Sequence, residues 1–471
     1  MFLLGKPIPE RMKKILLVVI LVVSGVITIA QERSWTLEEC INHAIDNNIV
    51  IKQQELQTYF QENTLKQSKI ALYPSVNGTA TQNFSFGRAL DETTYQFTDN
   101  ENVVSSSFYT GANVTLFNGL QNLNTIKRNR YNLDASILDL QSIKDDIALN
   151  VALAYLQILL NKELVAVTAN QLTTTREQIE KTRKMVDAGR LPRGNLLEIE
   201  AQAAREELQL IDMQNQLDLS YLNIVQLLEL ETTEDFEIFV PDISIDGQMM
   251  ITGDVYEIYG TAESLRPEIR SAELRLKSAE TDLLIARGGR SPRLSLASTF
   301  STGYSDIRQK ILGSDPITGF PILTDDYPFA EQLNDNINYG VGFTLSVPVF
   351  NGWQVNANIS NNRINIDNYR YTLEDSRKRL FKTIQQAFAD AEASLKSYNA
   401  SEKAVESMEE SFRYTEQKFN VGMVTPVEYN AAKSLLLNAQ SELAQSKYSY
   451  IFKAKVLDFY RGIPLSLDEL N

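Results

Sequence analysis

Four long segments of this 471-residue chain contain neither glycine nor proline, the residues that most often interrupt a helix. Helices of globular proteins average about 11–12 residues, so uninterrupted segments several times longer favour coiled coils or helical barrels. One of the four has an apolar seam with spacings of three and four residues, as coiled coils do: Leu140, Ile143, Ile147, Val151, Ala154 and Ile158. The four segments are 120–188, 195–230, 353–421 and 427–461. We predict long helices over them, the first of which we start one residue earlier, at 119.

Four shorter runs alternate apolar residues with small or polar ones, the pattern of strands that have one buried face. Each has about the ten residues of a transmembrane strand. A sheet on a soluble core alternates in the same way, but the narrow helix seams leave no broad apolar face to cover such a sheet. In one run Val341, Phe343 and Leu345 share a face opposite Gly342 and Thr344, and we expect these three to face lipid. The predicted strands are 75–87, 103–117, 292–304 and 338–350.

Two pairs of matching turns indicate an internal duplication. The strand exits "LFNGLQ" and "VFNGWQ" place Phe117 and Phe350 233 residues apart (350 − 117). The helix breaks "DAGRLPRGN" and "NVGMVTPVEYN" place Gly189 and Gly422 at the same interval (422 − 189). A common interval means that both copies have helices of equal length. We assign the first repeat to 31–260, which ends in the segment 231–260, and the second to 261–471, which ends in a C-terminal tail.

Composition excludes several classes of function. The formal net charge of −15 argues against a nucleic-acid partner, which would require clustered cations. The single cysteine, Cys40, cannot form an internal disulfide, and it lies in an apolar helical stripe with Leu37, Ile41 and Ala44. The single histidine, His43, has no nucleophile motif beside it, and the sequence contains no P-loop. We therefore expect no catalytic site, no metal site and no cofactor.

The N-terminus has the features of a secretory signal, which we place at 1–30 with Met12 as an alternative start. Lys13 and Lys14 precede an apolar stretch from 15 to 29. A transmembrane anchor is the other reading, but this stretch is shorter than the roughly 20 residues that a helical span needs.

Four transmembrane strands cannot close a barrel, and lipid does not tolerate open sheet edges. The chain must therefore assemble with copies of itself. Two copies would give eight strands and a filled interior, whereas three would give 12 strands and a lumen. The strand count alone leaves both possibilities open.

Several motifs together resemble the TolC-like outer-membrane efflux protein family. They are the two "FNG" exits, the two glycine breaks, "LEECINHAIDNN" near the start, "LRPEIRSAE" before the second hairpin and "YRGIPL" near the end. The resemblance implies a homotrimer that shares one 12-stranded barrel in the outer membrane of a Gram-negative bacterium. It also implies a continuous α-helical tunnel in the periplasm, with 231–260 in a belt around its middle.

The same resemblance implies a passive exit duct for a tripartite efflux or type I secretion-like system. Its partners would be two further copies of the chain, a periplasmic adaptor protein, outer-membrane lipid and, indirectly, an inner-membrane transporter. The alternative is a structural or adhesive coiled-coil protein of the cell envelope without transport activity. That class would have continuous heptads rather than duplicated hairpins between long helices.

The resemblance also assigns site residues. The adaptor would dock at the helix turns, where we expect the apolar side chains among the six to be exposed: Gly189, Arg190, Leu191, Gly422, Met423 and Val424. Glu428, six residues after Gly422, matches an acidic gate position of the family, and Phe419 matches an aromatic one without its hydroxyl. Three further gate positions, which are polar in the family, are not matched here and hold Ala431, Val424 and Asn195. Glu428 could equally be a solvated residue at a helix start.

Overall fold

A computed structural model describes residues 34–88, 90–91, 96–97, 101–233, 236–241 and 253–467. The predicted signal at 1–30 lies outside these residues, as does 242–252 within the segment 231–260. Nine helices lie in the described part, numbered α1 to α9 in chain order: Leu37–Asn47, Ile49–Ile70, Gln121–Asp187, Arg193–Leu227, Val255–Leu265, Pro267–Gly288, Phe329–Asp335, Gln354–Asn420 and Pro426–Tyr460.

Matching helices have equal lengths in the two halves. α3 and α8 both have 67 residues, and α4 and α9 both have 35. Both pairs are offset by 233 residues (354 − 121 and 426 − 193). Before the strands the offset is 218, as between α2 and α6 (267 − 49), which both have 22 residues. The second strand pair is therefore separated by 15 more residues than the first (233 − 218).

The bounds of several elements differ slightly from the predicted ones. α3 starts at Gln121 rather than 119, because the residues before it form the strand-exit turn. Gly119 and Gly352 have left-handed φ angles of 66° and 61° there, as an Asn-Gly turn predicts. Leu120 and Trp353 adopt φ angles of 64° and 69°, which the sequence did not indicate because side chains with a Cβ rarely adopt them.

The two repeats interleave in space. The chain divides into two compact units. One comprises Gln54–Leu140 and Pro267–Lys378; the other comprises the described parts of Met1–Gln53, Gln141–Arg266 and Arg379–Asn471. Each unit thus draws on both halves of the chain. The boundary placed at 260 falls inside α5, Val255–Leu265, because Asp254 caps that helix six residues earlier.

The first unit contains one four-stranded antiparallel sheet. Its order is Asn338–Ser346, Arg293–Ser305, Glu101–Phe117 and Ser75–Gly87. The strand predicted over 338–350 ends at Ser346, paired with Arg293, shortly before Pro348, which has no N–H to donate. The residues between the predicted strands 292–304 and 338–350 contain α7 and a short hairpin, Lys310–Ser314 with Pro321–Thr324.

The second unit has an apolar core built around α3. Tyr155, Ile158 and Leu159 are buried there beside Ile224 of α4 and Ile451 of α9. Cys40 is fully buried in the same cluster, as its helical stripe predicts, and burial raises the pKa of its thiol to about 12. An 18-residue window of α3 is apolar enough to cross a membrane by length and composition, but half of it is buried inside the fold, as in a core helix.

Candidate functional site at two helix turns and one open sheet

The turns that follow α3 and α8 end these helices in the same way. Gly189 donates its N–H to Val186 O at 2.9 Å, and Arg190 donates to Met185 O at 2.8 Å. Gly422 and Met423 repeat both bonds, each at 2.9 Å, to Phe419 O and Lys418 O. This is the Schellman motif, and its left-handed residue is a glycine in both turns, with φ angles of 69° and 78°. Neither glycine has an atom within 4 Å of the site of a Cβ, so backbone conformation rather than crowding accounts for both.

The helices that follow the two turns start differently. At the second turn Thr425 caps α9, with its hydroxyl accepting from Glu428 N at 3.3 Å. The Glu428 carboxylate accepts from Thr425 N at 2.7 Å, which completes a capping box behind Pro426. At the first turn the N-cap is Pro192, which makes no side-chain capping bond.

Glu428 is exposed, and its carboxylate is used in this capping box. Hydrogen bonds from the Thr425 N–H and hydroxyl hold the pKa of Glu428 below its ordinary value. Within one chain, these hydrogen bonds favour the ionised carboxylate. Repulsion among carboxylates that converge on an axis would instead raise the pKa. The helix-start interpretation describes the geometry of one chain, and the gate role of Glu428 stays a prediction.

Phe419, the other gate candidate, packs inside its own helix pair. Its ring stacks on Tyr429 with centroids 4.6 Å apart, and Phe412 lies 5.4 Å from the same ring. Tyr429 is buried, which raises the pKa of its phenol to about 12. The contacts of Phe419 are therefore those of a residue that fixes the start of α9 against the end of α8.

The apolar residues of the turns are not all exposed as expected. Met423 is 75% exposed, whereas Leu191 and Val424 are half-buried. All three line one groove together with Thr182 and Asn195. The exposed apolar residues that the sequence reasoning missed are Val421 and Val427, at 71% and 61%. Their places directly beside the turn could have identified them.

A buried polar cluster behind the second turn was also missed. Lys433 and Glu206 are 3% and 2% exposed, and Lys433 Nζ donates to Gln171 O at 2.9 Å. Nζ also donates to the Thr175 hydroxyl, which in turn donates to Glu206. Gln202 Nε2 donates to Glu206 Oε1 at 3.0 Å. The cluster joins α3, α4 and α9, so the helix after the second turn is tied to the two helices of the first repeat.

The sheet has one mostly apolar face, on which Val341 pairs with Ser298, and one face of small or polar residues. Phe343 pairs with Leu296, and Leu345 pairs with Leu294. On the opposite face Thr344 pairs with Ser295, and Gly342 pairs with Ala297. Val341, Phe343 and Leu345 are 70%, 69% and 64% exposed. Within the described residues the outer edges of strands 338–346 and 75–87 pair with no other strand.

The sequence profile of a family described as outer membrane efflux protein matches residues 40–229 and 258–460. Its two matched ranges correspond to the two repeats. No curated protein sequence matches the chain.

Solved channel structures are similar over almost the whole chain. CusC, described in a study of folding and transmembrane channel formation, is 16% identical, with a TM-score of 0.75 over 93% of this chain and 96% of CusC. VceC, an outer membrane protein of Vibrio cholerae, is 15% identical, with a TM-score of 0.72 over 90% of this chain and 96% of VceC. The CmeC outer membrane channel of Campylobacter jejuni is 16% identical, with a TM-score of 0.70 over 94% and 92%. At these identities the likeness establishes the fold.

Proposed function

The chain belongs to the outer membrane efflux protein family, and from this premise we propose that three copies form one exit duct that a periplasmic adaptor protein connects to an inner-membrane pump. Membership of the family makes the protein an outer-membrane exit duct of an efflux system. Members of this family are channels rather than enzymes. The assembly, its orientation and its partners are the proposal.

The open four-stranded sheet carries this proposal. Its apolar face is exposed in the single chain, and its two outer strands, Ser75–Gly87 and Asn338–Ser346, offer unpaired backbone groups. Exposed apolar faces and open edges are both unfavourable in water, and open edges are excluded from lipid. Pairing of the first strand with the last strand of the next copy satisfies the edges. The apolar face, with Val341, Phe343 and Leu345, then faces lipid.

Three copies give 12 strands in one barrel (3 × 4). A barrel of eight strands, from two copies, has an interior that side chains fill, whereas a larger barrel encloses a lumen. An exit duct requires a lumen, so its function favours three copies over two. The small residues on the inner face, such as Gly342 and Thr344, leave that lumen open and wet.

The helices would extend from this barrel into the periplasm and end at the two turns, Gly189 and Gly422. The adaptor would dock there, on the six residues from Gly189 to Leu191 and from Gly422 to Val424. The exposure of Met423 supports such a contact, since an exposed apolar side chain gains from burial against a partner. The family match gives no support to the alternative of a structural or adhesive coiled coil.

Edge-to-edge cysteine crosslinking tests the assembly. One cysteine is introduced in strand 75–87 and one in strand 338–346, at several registers, and the protein is oxidised in outer-membrane extracts. Cys40 is buried and does not interfere. We expect a ladder of linked chains that ends at three. The control replaces the first cysteine by one at Thr110 of the inner strand Glu101–Phe117, which should give no ladder. A ladder that ends at two, or a monomer that resists every edge pair, would refute the trimer.

A further inference from the structure

The first helix turn is strongly cationic, unlike the second. Residues 181–193 contain Lys181, Arg183, Lys184, Arg190 and Arg193 against one carboxylate, Asp187, a net charge of +4. The equivalent positions 233 residues later, 414–426, contain one glutamate and one lysine, a net charge of 0. The whole chain has a net charge of −15, so this concentration of positive charge is a local exception.

Four of the five cations of this turn form no ion pair within the described part of the chain. Only Arg183 forms ion pairs, to Glu180 at 2.9 Å and Glu200 at 3.3 Å. The side chains of Lys181, Lys184, Arg190 and Arg193 form no ion pair with any described residue, and all four residues are exposed. Lys184 lies in the last turn of α3, where the helix dipole favours a cation.

The first two residues of α4 are unfavourable choices for the start of a helix. Arg193 is the first residue of this helix, where the dipole disfavours a positive charge. Gly194 follows it, at a helical position where glycine lowers helix stability. A Cβ on Gly194 would have no atom within 4 Å, so nothing in this chain requires glycine there. The second repeat has a capping box and Val427 at these positions. Residues that disfavour their local structure, with no contact in the chain that offsets the cost, are expected at functional surfaces.

We infer that the first turn, from Lys181 to Gly194, is a docking surface for an acidic segment of the periplasmic partner, and that the second turn docks an apolar one. Arg190 and Arg193 present planar guanidinium groups that bind carboxylates with two parallel hydrogen bonds. The open space at Gly194 lets a partner backbone approach closely. The second turn offers Val421, Met423 and Val427 instead, all exposed. This inference rests on the proposed docking at the turns.

One consequence is that the two turns are unequal sites. Identical adaptor ends could not satisfy both turns with the same side chains. The partner would therefore present both a carboxylate pair and an apolar patch, and each turn would select one of them. Charge repulsion would prevent a purely cationic adaptor end from docking at the first turn.

Photo-crosslinking at a matched pair of exposed positions tests the inference. A photoreactive residue replaces Ala188 in one variant and Val421 in another, which are 233 residues apart and take the same place in their turns. The full chain is irradiated in cells that carry the complete efflux system, and the captured peptides are sequenced. We expect both positions to capture the same periplasmic protein. The peptide captured at 188 should be rich in Asp and Glu, and that captured at 421 should be apolar.

Charge removal supplies the second measurement. The double change Arg190→Gln and Arg193→Gln should lower the yield at 188 roughly tenfold, as expected from the loss of two exposed ion pairs. It should leave the yield at 421 unchanged. Lys418→Gln, which removes the one cation among residues 414–426, should affect neither position. The crosslinked oligomer of the chain itself, measured in the same samples, verifies that each variant assembles.

The outcomes separate this inference from the proposed function. Capture of one protein at both positions, with a neutral peptide at 188 or with no effect of the double change, overturns the inference and leaves docking intact. Capture of lipid or polysaccharide at 188 also overturns it. No capture at either position refutes docking at the turns and the inference together.

Discussion

The ammonium group of Lys433 lies 3.9 Å from a carboxylate oxygen of Glu206, and both side chains are almost completely buried. The Thr175 hydroxyl links them, because it accepts from Lys433 and donates to Glu206. Two charges that leave water lose hydration energy, which their mutual attraction only partly restores. A pair of this kind specifies how helices pack more than it adds stability. Here it sets the position of α9 behind the second turn.

Removing one member of this pair should destabilise the protein more than replacing both members by apolar residues. We expect Lys433→Met alone to lower the free energy of unfolding by about 1–3 kcal/mol, because the Gln171 carbonyl and the Thr175 hydroxyl lose their buried donor. The double change with Glu206→Leu should recover most of this loss or exceed wild-type stability. Chemical unfolding of the purified protein, followed by a fluorophore on a cysteine at exposed position 188, measures both.

The half-buried pair of Lys453 and Asp390, at 3.1 Å, provides the control. Lys453→Met should cost no more than about 1 kcal/mol, since solvent screens this pair and hydrates the remaining carboxylate. If Lys453→Met and Lys433→Met were equally destabilising, the loss of the buried hydrogen bonds of Lys433 would not be the cause.

The contribution of Lys433 to the free energy of unfolding should increase with pH in the alkaline range. Burial lowers the pKa of Lys433 from 10.5 to about 8, although Glu206 opposes this shift. Between pH 8 and 10.5 the unfolded chain therefore holds a proton that the folded chain has released, so the free energy of unfolding rises with pH. Below about pH 8 both states are protonated and this contribution is constant. Cys40 and Tyr429 act in the opposite direction above about pH 9 and pH 10, because burial raises the pKa of each group to about 12 and the folded chain keeps a proton that the unfolded chain releases. The contribution of Lys433 is therefore the difference between the wild type and Lys433→Met.

Urea midpoints of the same labelled protein across this pH range measure the effect. Between pH 8 and 10.5 the wild type should gain up to about 3 kcal/mol relative to Lys433→Met, the equivalent of the full pKa difference. A wild-type curve that falls between pH 8 and 10.5, parallel to that of Lys433→Met, would contradict the assignment to this lysine.

Sequence periodicity predicted the long helices well because glycine and proline are absent from them, whereas it did not predict Lys433. The buried positions of α9 include Pro426, Tyr429, Lys433 and Leu437, which follow one another at intervals of three and four. Lys433 therefore occupies a seam position normally filled by an apolar residue. That was a usable signal, but its partner Glu206 is 227 residues away (433 − 206), and single-sequence patterns do not join such distant residues.

The sheet shows the same limit in another form. Alternation placed Val341, Phe343 and Leu345 on one face, and the pairing of Phe343 with Leu296 shows that neighbouring strands continue it. Alternation could not determine the strand order, which depends on pairings between the two halves of the chain. At the turns, exposure depends on where the reversed chain directs each side chain. The sequence does not show this direction, and Val424, which was expected to be exposed, lies in a groove.

Adjacent residues of the edge strand should respond differently to a charge. Phe343→Arg should destabilise the assembled protein by roughly 2–4 kcal/mol if the side chain lies near the middle of the bilayer. Thr344→Arg, on the opposite face, should leave stability nearly unchanged and lower single-channel conductance. The temperature at which the oligomer dissociates in detergent measures the first effect, and planar-bilayer recording measures the second. Equal loss of stability in both variants would indicate a sheet that packs on a soluble core.

Gly194→Ala should separate stability from docking. Alanine relieves the helix-propensity cost of glycine and should raise helix stability by about 0.4–1 kcal/mol, since the site has free space. The added methyl group would obstruct the close approach of a partner, so crosslinking at position 188 should fall. Gly260→Ala, in α5 and also with free space around it, should raise stability without that fall. Unchanged crosslinking in Gly194→Ala would show that no partner backbone approaches this residue.

Glu428→Gln tests whether three Glu428 carboxylates form an acidic ring at the end of the proposed tunnel. Glutamine can keep the hydrogen bond to the Thr425 N–H, so the helix start remains intact and only the charge is lost. If the ring exists, three negative charges concentrate cations, and the wild type should prefer cations more than the variant does. The hydrogen bonds from Thr425 lower the pKa of Glu428, so this preference should persist to mildly acidic pH rather than vanish near neutrality.

Reversal potentials in a salt gradient across a planar bilayer, between about pH 5 and 8, measure the difference. Thr425→Ala, which removes the hydroxyl of the cap but not the charge, should preserve cation preference at pH 8. Identical selectivity of wild type and Glu428→Gln at every pH would mean that Glu428 serves only to start α9.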